Sequence, residues 1–278
     1  MSERIIVTLT TYHKRINNIP VVLDTIFSQS LPPDLVVMNL AFDEIVPEIV
    51  QRYIDEHSIE IQRVPDTKVY KKLIPTLKRY PEDCIVTIDD DLLYPPGMIE
   101  DFVSVHKQYP GFPISGNQEV YYGMQCHCGC ASLIKAEYLG ADIDLIDDDT
   151  IKHCPCDDIV YTYFSNKNLH PYLRTNGLYY LNLPSYNPVG SYSDNEVGRR
   201  GLYNTYNYLV NRWGELPLNF FQYNEEYRDL IMRDILKSYK NLGREENQST
   251  ISYRLGDFLL RPLKRIRDKF QRHPESAV

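Results

Sequence analysis

No run of about 18 apolar residues occurs anywhere in the chain, so no segment reads as a membrane-spanning helix. The N-terminus, Met1-Ser2-Glu3-Arg4, also lacks the charged-then-apolar pattern of an export signal, and a cytoplasmic protein is expected. Basic residues are outnumbered, 30 Lys and Arg against 38 Asp and Glu, for a net charge of -8. That balance excludes a general nucleic-acid binder, which needs surplus cations to displace phosphate counterions. Six cysteines in 278 residues are too few for the disulfide framework of a small secreted domain, and reduced thiols are expected. Glycine is missing from residues 8–15, where a phosphate-cradling loop after a first strand would need it. What the chain does have is 43% hydrophobic residues, enough for one large domain or a domain plus a tail, and 23 tyrosines.

Residues 5–9 form a continuous β-branched run, and residues 19–27 have helical spacing, ended by Ser28 and Pro32-Pro33. Residues 35–40, 59–64 and 84–88 read as further buried strands, and residues 46–53 and 73–80 as further helices. Strands alternating with helices predict an α/β fold with a mostly parallel sheet and helices on both faces. Ligands of such sheets bind beyond the carboxyl ends of the strands, at the switch in strand order. Residues 10–15, 66–72 and 89–91 each follow a strand and are expected around one crevice.

The strongest chemical signal is Cys84-Ile85-Val86-Thr87-Ile88-Asp89-Asp90-Asp91, an apolar strand that ends in three carboxylates before Leu92-Leu93-Tyr94-Pro95-Pro96. Adjacent acids repel one another unless a cation sits among them. Hard oxygen ligands favour Mg2+ or Mn2+, which keep coordination positions open for substrate phosphates. A solvated acidic loop is the bland alternative, and the buried strand leading into the triplet argues against it.

Residues 66–96 run through Lys72-Leu73-Ile74-Pro75, a helix, a strand, Asp89-Asp90-Asp91 and Tyr94-Pro95. In that order they resemble bacterial family 2-like glycosyltransferases of polysaccharide assembly. The strand end Thr8-Leu9-Thr10-Thr11-Tyr12, with Arg15, is similar to the donor-binding opening of that family, and the resemblance covers about residues 4–185. It implies a GT-A-type, Rossmann-like fold and transfer of a hexose from a nucleoside-diphosphate sugar to a hydroxyl of a glycan or lipid-linked acceptor. Carried over position by position, it implies that Asp89 faces the ribose and that Asp91, with or without Asp90, binds Mn2+ or Mg2+. Lys72 would neutralise the diphosphate, with Lys71 an equal candidate, while Thr10, Tyr12 and Asp66 would line the nucleoside pocket. One departure is Asn39-Leu40-Ala41 at the end of the second strand, where many such enzymes carry an acid.

A second constellation, His153-Cys154-Pro155-Cys156-Asp157-Asp158, opens an apolar helical stretch. A carboxylate there, Asp158 ahead of Asp157, would act as general base toward an acceptor hydroxyl. Helix capping is the competing reading, with one acid as cap and the other as base. Between the two sites, residues 123–133 are rich in small residues, and the resemblance makes Gly129 the point where backbone approaches the donor sugar. Cys126, Cys128, Cys130, Cys154, Cys156, His127 and His153 could make a zinc site, although their spacing departs from paired Cys-x2-Cys. The acid run 142–149 follows no strand and reads as an exposed loop.

The tyrosine-rich stretch 179–208 has no clear period and reads as an acceptor groove or a half-buried loop. Residues 216–242 read as helix and 243–249 as a polar break. In residues 250–272, Ile251, Leu255, Phe258, Leu259, Leu263, Ile266 and Phe270 fall on one side of a helical wheel, with basic residues largely opposite. Such a tail is expected either to lie on the anionic inner face of the cell membrane or to dock on its own domain or a partner. The expected organisation is a catalytic domain over 1–215, with a donor half to about 100 and an acceptor half over 101–215, then a helical extension over 216–249 and the tail over 250–278. A nucleotidyltransferase, a metal-dependent hydrolase and a non-catalytic carbohydrate-binding or membrane-associated protein are the other classes considered. Oligomeric state is left open.

Overall fold

The computed structural model describes residues 3–57, 59–116, 118–121, 124–127, 131–175, 181–182 and 196–216, all within one compact unit, Met1–Leu218. The chain starts with strand β1 (Ile5–Thr10), helix α1 (Ile19–Phe27), β2 (Leu35–Ala41), α2 (Glu48–Glu56), β3 (Glu60–Val64), α3 (Ile74–Arg79) and β4 (Cys84–Ile88). Short β5 (Leu92–Leu93) and α4 (Met98–Gln108) follow, then β6 (Ile114–Ser115), β7 (Gln118–Tyr121), β8 (Met124–His127) and β9 (Ala131–Ile134). The remaining elements are α5 (Ala136–Leu139), α6 (Asp148–His153), α7 (Asp157–Lys167), β10 (Leu173–Arg174), β11 (Leu181–Asn182) and α8 (Glu196–Trp213).

Seven strands form the main sheet in the order β10-β6-β9-β4-β1-β2-β3. β1 pairs parallel with both β2 and β4, β2 with β3, and β6 with β10, while β9 runs antiparallel between β4 and β6. Two small two-stranded pairs, β5 with β11 and β7 with β8, lie outside it. The chain builds outward from β1 through β2 to β3 and then returns to the other side of β1 as β4. That return is the switch in strand order where doubly wound sheets bind ligands.

Central strands read as unbroken apolar runs because both faces are covered. On one face, Ile6, Val37, Ile85 and Ile134 join Leu77, Tyr138, Leu139, Ile159, Phe164 and Leu209 in one buried cluster, which draws in α3, α5, α7 and α8. Alternation sends Val7 and Leu9, both fully buried, to the other face, where α1, α2 and α4 pack.

Two stretches differ from the sequence expectation. Residues 196–213 form α8, although the tyrosine-rich sequence shows no clear period. Tyrosine obscures that period because its ring packs while its hydroxyl makes polar contacts: Tyr208 stacks on His153 and its hydroxyl donates to Asp149. The acid run, expected as an exposed loop, is a 3-10 segment at Gly140–Leu145 followed by α6. Asp147 caps α6 by accepting from the Thr150 amide at 2.9 Å, and Arg212 of α8 pairs with it at 2.7 Å. The expected helix 216–242 lies almost wholly, and the tail 250–278 entirely, outside the described residues.

Asn39, noted above as a departure from the resembled family near the end of the second strand, is fully buried against α3. Its amide donates to Thr76 Oγ1 at 2.8 Å and Thr8 Oγ1 at 3.0 Å, and Thr8 in turn donates to the Lys72 carbonyl at 2.7 Å. A carboxylate here would be a buried charge and would repel the Lys72 carbonyl, whereas an amide supplies a donor to the two hydroxyls. Thr8→Val keeps the shape but leaves the Asn39 amide and the Lys72 carbonyl short of partners. Urea denaturation should show a loss of about 1–3 kcal/mol.

Candidate active site

The carboxyl ends of β1 and β4 meet at the switch point, and the three acids fan out from the end of β4 toward different partners. Asp89 accepts from Lys72 Nζ at 2.9 Å, and its backbone N–H donates to Tyr94 Oη at 2.6 Å. Asp90 uses both carboxylate oxygens: Oδ2 accepts from Thr11 Oγ1 at 2.7 Å and Oδ1 from Arg15 Nη1 at 3.1 Å. Asp91 meets the same Arg15 nitrogen through Oδ2 at 3.0 Å. The Arg15 guanidinium also lies over the Tyr12 ring, 5.7 Å from its centre, and Thr10 Oγ1 donates to the Asn39 carbonyl at 2.8 Å. Thr10, Tyr12, Arg15, Asp89, Asp90 and Asp91 are therefore brought together as the sequence suggested.

The two lysines divide. They sit in a 3-10 turn, Lys68–Lys72, that begins with Lys68 in the left-handed region at φ 57°. Asp66 holds that turn, accepting from the Lys68 amide at 3.2 Å and pairing with the Lys68 and Lys71 ammonium groups, which keep its carboxyl far below the usual range. Lys72, buried like Lys71, instead contacts Asp89 and approaches Asp157 Oδ2 at 3.9 Å. Burial alone would pull a proton off this ammonium, but Asp89, Asp157 and Asp158 outweigh it and raise its pKa well above the usual value.

Asp157 and Asp158 occupy the first turn of α7, where negative charge is favoured by the helix dipole. Neither is the cap: that position is Cys156, which makes no side-chain capping hydrogen bond. Asp157 is buried, its Oδ2 accepts no hydrogen bond among the described residues, and burial pushes its carboxyl above the usual range. Asp158 is more open and faces His127 Nε2 at 3.5 Å. His127 is buried, which together with the Lys72 charge lowers its pKa to about 4 and leaves it neutral at pH 7. It touches Ser115 Oγ through Nδ1 at 2.8 Å and stacks on Tyr172. A neutral ring accepting from Ser115 at Nδ1 presents Nε2–H toward Asp158.

The site thus gathers five carboxylates, Asp89, Asp90, Asp91, Asp157 and Asp158, against two cations, Arg15 and Lys72. The Asp91 carboxyl is pushed up to about 6, first by burial and then by the Asp89 charge. Among the described residues no three of these acids bring oxygens within 4.8 Å of one another. The donor set fits a hard ion such as Mn2+ or Mg2+ held by one or two carboxylates and completed by phosphate oxygens, rather than one caged by protein.

Other expected site residues lie elsewhere. His153 stacks on Tyr208 and pairs with Asp149, turned to α8 rather than to His127. Cys154 is buried, Cys156 is half-buried and neither is in a disulfide, and among the described residues they form no metal-ligand group with His127 or His153. Gly129, Cys128, Cys130 and the Cys126 side chain lie outside the described residues. Sequence reasoning missed Ser115 as the partner of His127, because nothing in Ile114-Ser115 marks it chemically. It named His127 only as a metal ligand.

The fold is GT-A: a doubly wound, mostly parallel sheet with acids at the end of the strand beside β1. Among solved structures the chain is similar to a mannosyltransferase from Pyrobaculum calidifontis in complex with GDP-Man and Mn2+, at 18% identity and a TM-score of 0.57 over 78% of this chain. It spans 66% of that enzyme, just under two thirds of its length. Glucosyl-3-phosphoglycerate synthase from Mycobacterium tuberculosis overlaps with a TM-score of 0.47 and 14% identity, over 77% of this chain and 81% of the other. A 4-diphosphocytidyl-2C-methyl-D-erythritol synthase overlaps with a TM-score of 0.46 and 10% identity, over 66% and 94%. No family model and no curated protein matches the sequence.

Because the folded Asp91 carboxyl titrates at about 6, above its unfolded value, the folded chain holds a proton that the unfolded chain has lost across that interval. Stability therefore falls as pH rises toward 6 and stays lowered above it. Without divalent metal, Asp91→Asn should gain about 1 kcal/mol at about pH 7.5 and almost nothing at about pH 4, read from thermal melts at both.

Proposed function

We propose that the chain is a metal-dependent glycosyltransferase that moves a hexose from a nucleoside-diphosphate sugar to a hydroxyl of a glycan or lipid-linked acceptor. The observation that carries this reading is the Lys72 ammonium lying 2.9 Å from Asp89 and 3.9 Å from Asp157, which draws the strand-end acids and the α7 acids into one crevice. Donor chemistry needs charge matched at a leaving diphosphate, and acceptor chemistry needs a carboxylate near the attacking hydroxyl.

In this reading Asp91, with Asp90, holds Mn2+ or Mg2+, which when bound offsets the charge of the departing nucleoside diphosphate. Arg15 bridges Asp90 and Asp91 and keeps both carboxylates aimed at one place. Asp89, fixed by Tyr94 and Lys72, faces the ribose, while Thr10, Tyr12 and Asp66 line the nucleoside side. Lys72 contributes positive charge from within the wall, and Lys71 remains paired with Asp66. Asp158 takes the proton from the acceptor hydroxyl as its oxygen bonds the anomeric carbon and the bond to the diphosphate breaks, with the electron pair leaving on phosphate. Asp158 precedes Asp157 because its side chain is 18% exposed against 9% and so is better placed to meet an acceptor.

The catalytic domain would occupy residues 1–215, with the 216–249 extension and the basic amphipathic tail 250–278 beyond it. The tail would hold the enzyme on the cytoplasmic face of the membrane beside lipid-linked acceptors, its charge favouring anionic lipid. No helix among the described residues is long and apolar enough to cross a membrane.

Calorimetry should show nucleoside diphosphate binding that requires Mn2+ and is lost in Asp91→Ala; metal-independent binding would defeat the donor-site reading. In a nucleotide-sugar screen, Asp158→Asn should lower transfer about 10²–10⁴-fold while leaving diphosphate affinity intact. Unchanged transfer would remove Asp158 as the base. Anionic liposomes should float the intact chain but not one cut after Asn247, and equal flotation of the two would remove the membrane role of the tail.

A further inference from the structure

At the opposite end of the central strands from the crevice, three side chains of metal-ligand type converge. Glu3 precedes β1, Cys84 begins β4 in register with Ile5, and His106 lies in the last turn of α4. Cys84 Sγ is 3.3 Å from Glu3 Oε2, and His106 Nε2 is 3.6 Å from the same oxygen. All three ligand atoms lie within 4.8 Å of one another, which no other trio of such residues achieves among the described residues.

We propose that Glu3, Cys84 and His106 form a binding site for a zinc-like transition-metal ion, separate from the crevice and independent of the function assigned to it. Bonds of about 2.0–2.3 Å to oxygen, nitrogen and sulfur place neighbouring tetrahedral ligands about 3.3–3.7 Å apart. The sulfur–oxygen and nitrogen–oxygen separations, 3.3 Å and 3.6 Å, already match those edges. A thiol and an imidazole select zinc or cobalt over magnesium or manganese, which prefer oxygen alone.

The surroundings support the assignment. Tyr138 Oη lies 3.4 Å from His106 Nδ1 and His106 hydrogen-bonds the Phe112 backbone, the kind of outer contact that orients a metal-ligating ring. Lys135 donates to Glu3 Oε1 at 2.9 Å, leaving Oε2 as the oxygen that faces the cysteine and histidine. Lys135 is itself balanced by Glu137 at 3.0 Å, so the Glu3 carboxylate and a Cys84 thiolate remain to match a divalent charge. On binding, the Cys84 S–H bond breaks, its proton passes to solvent and a sulfur–metal bond forms. Cys84 and His106 are buried while Glu3 is half-exposed, which leaves the solvent side for a fourth ligand such as water. The bound ion would tie the first residues of the chain to β4 and to the end of α4.

Cobalt is the probe. Metal-free full-length protein titrated with Co2+ should develop a thiolate-to-cobalt charge-transfer band in the near ultraviolet, and Zn2+ should displace it at one ion per chain. The band should vanish in Cys84→Ser, and cobalt affinity should fall at least about tenfold in Glu3→Gln. An ion held by the aspartates of the crevice has no sulfur ligand and gives no such band. No band in the wild-type protein, or an equal band in Cys84→Ser, overturns the site. Should Cys84→Ser fail to fold, the exposed Glu3→Gln decides: unchanged cobalt affinity overturns the site.

Discussion

A lysine ammonium drawn out of water among carboxylates is the interaction on which the crevice depends. Neither partner tolerates burial alone: an isolated buried ammonium loses its proton, and isolated buried carboxylates gain one. Lys72 stays charged because Asp89, Asp157 and Asp158 surround it, and those acids come from two distant stretches of chain. Its backbone is fixed as tightly as its charge, through the Thr8 hydroxyl and the Asn39–Thr76 contacts beneath it. Any change that moves α7 relative to β4 would leave a buried charge uncompensated, so the two walls are coupled electrostatically as well as by packing.

The balance is incomplete in a direction that matters. Arg15 and Lys72 neutralise part of the acidic cluster, and burial first, with the charges of the neighbouring aspartates added to it, raises the carboxyls of Asp91 and Asp157 above the usual aspartate range. Perturbed acids at the carboxyl end of a doubly wound sheet are where such folds do chemistry. The residual negative charge is an electrostatic preference for a cation, and Asp91, which is less tied by hydrogen bonds than Asp90, is where that preference is greatest.

The core of this arrangement was legible before any coordinates. The spans 19–27 and 84–88 match α1 and β4 residue for residue, because amphipathic spacing and an abrupt change from apolar to acidic residues are local signals. Residues 10–15, 66–72 and 89–91 were expected around one crevice from the rule that ligands gather at strand ends, and of these Thr11, Arg15 and Lys72 each reach one or more of the three acids. α8 was not legible, since Tyr203, Tyr206 and Tyr208 are neither clearly apolar nor polar and blur the helical period. Asp147 was read as an exposed loop residue because its partners, Thr150 of the next turn and Arg212 of α8, give no pairing signal in sequence.

By itself the sequence determined the alternation of strands and helices, the place where acids end a buried strand, and the pair of acids that opens α7, all of which depend on spacing within a few residues. Tertiary structure alone decided which cation meets which acid. Lys71 and Lys72 are adjacent, chemically identical and both buried, yet one reaches Asp66 and the other Asp89, because the 3-10 turn points successive side chains in different directions. It alone also brought His127 to Asp158, and Glu3 and His106 to Cys84, since such contacts join residues from 22 to 103 positions apart that only the packing of strands and helices makes neighbours.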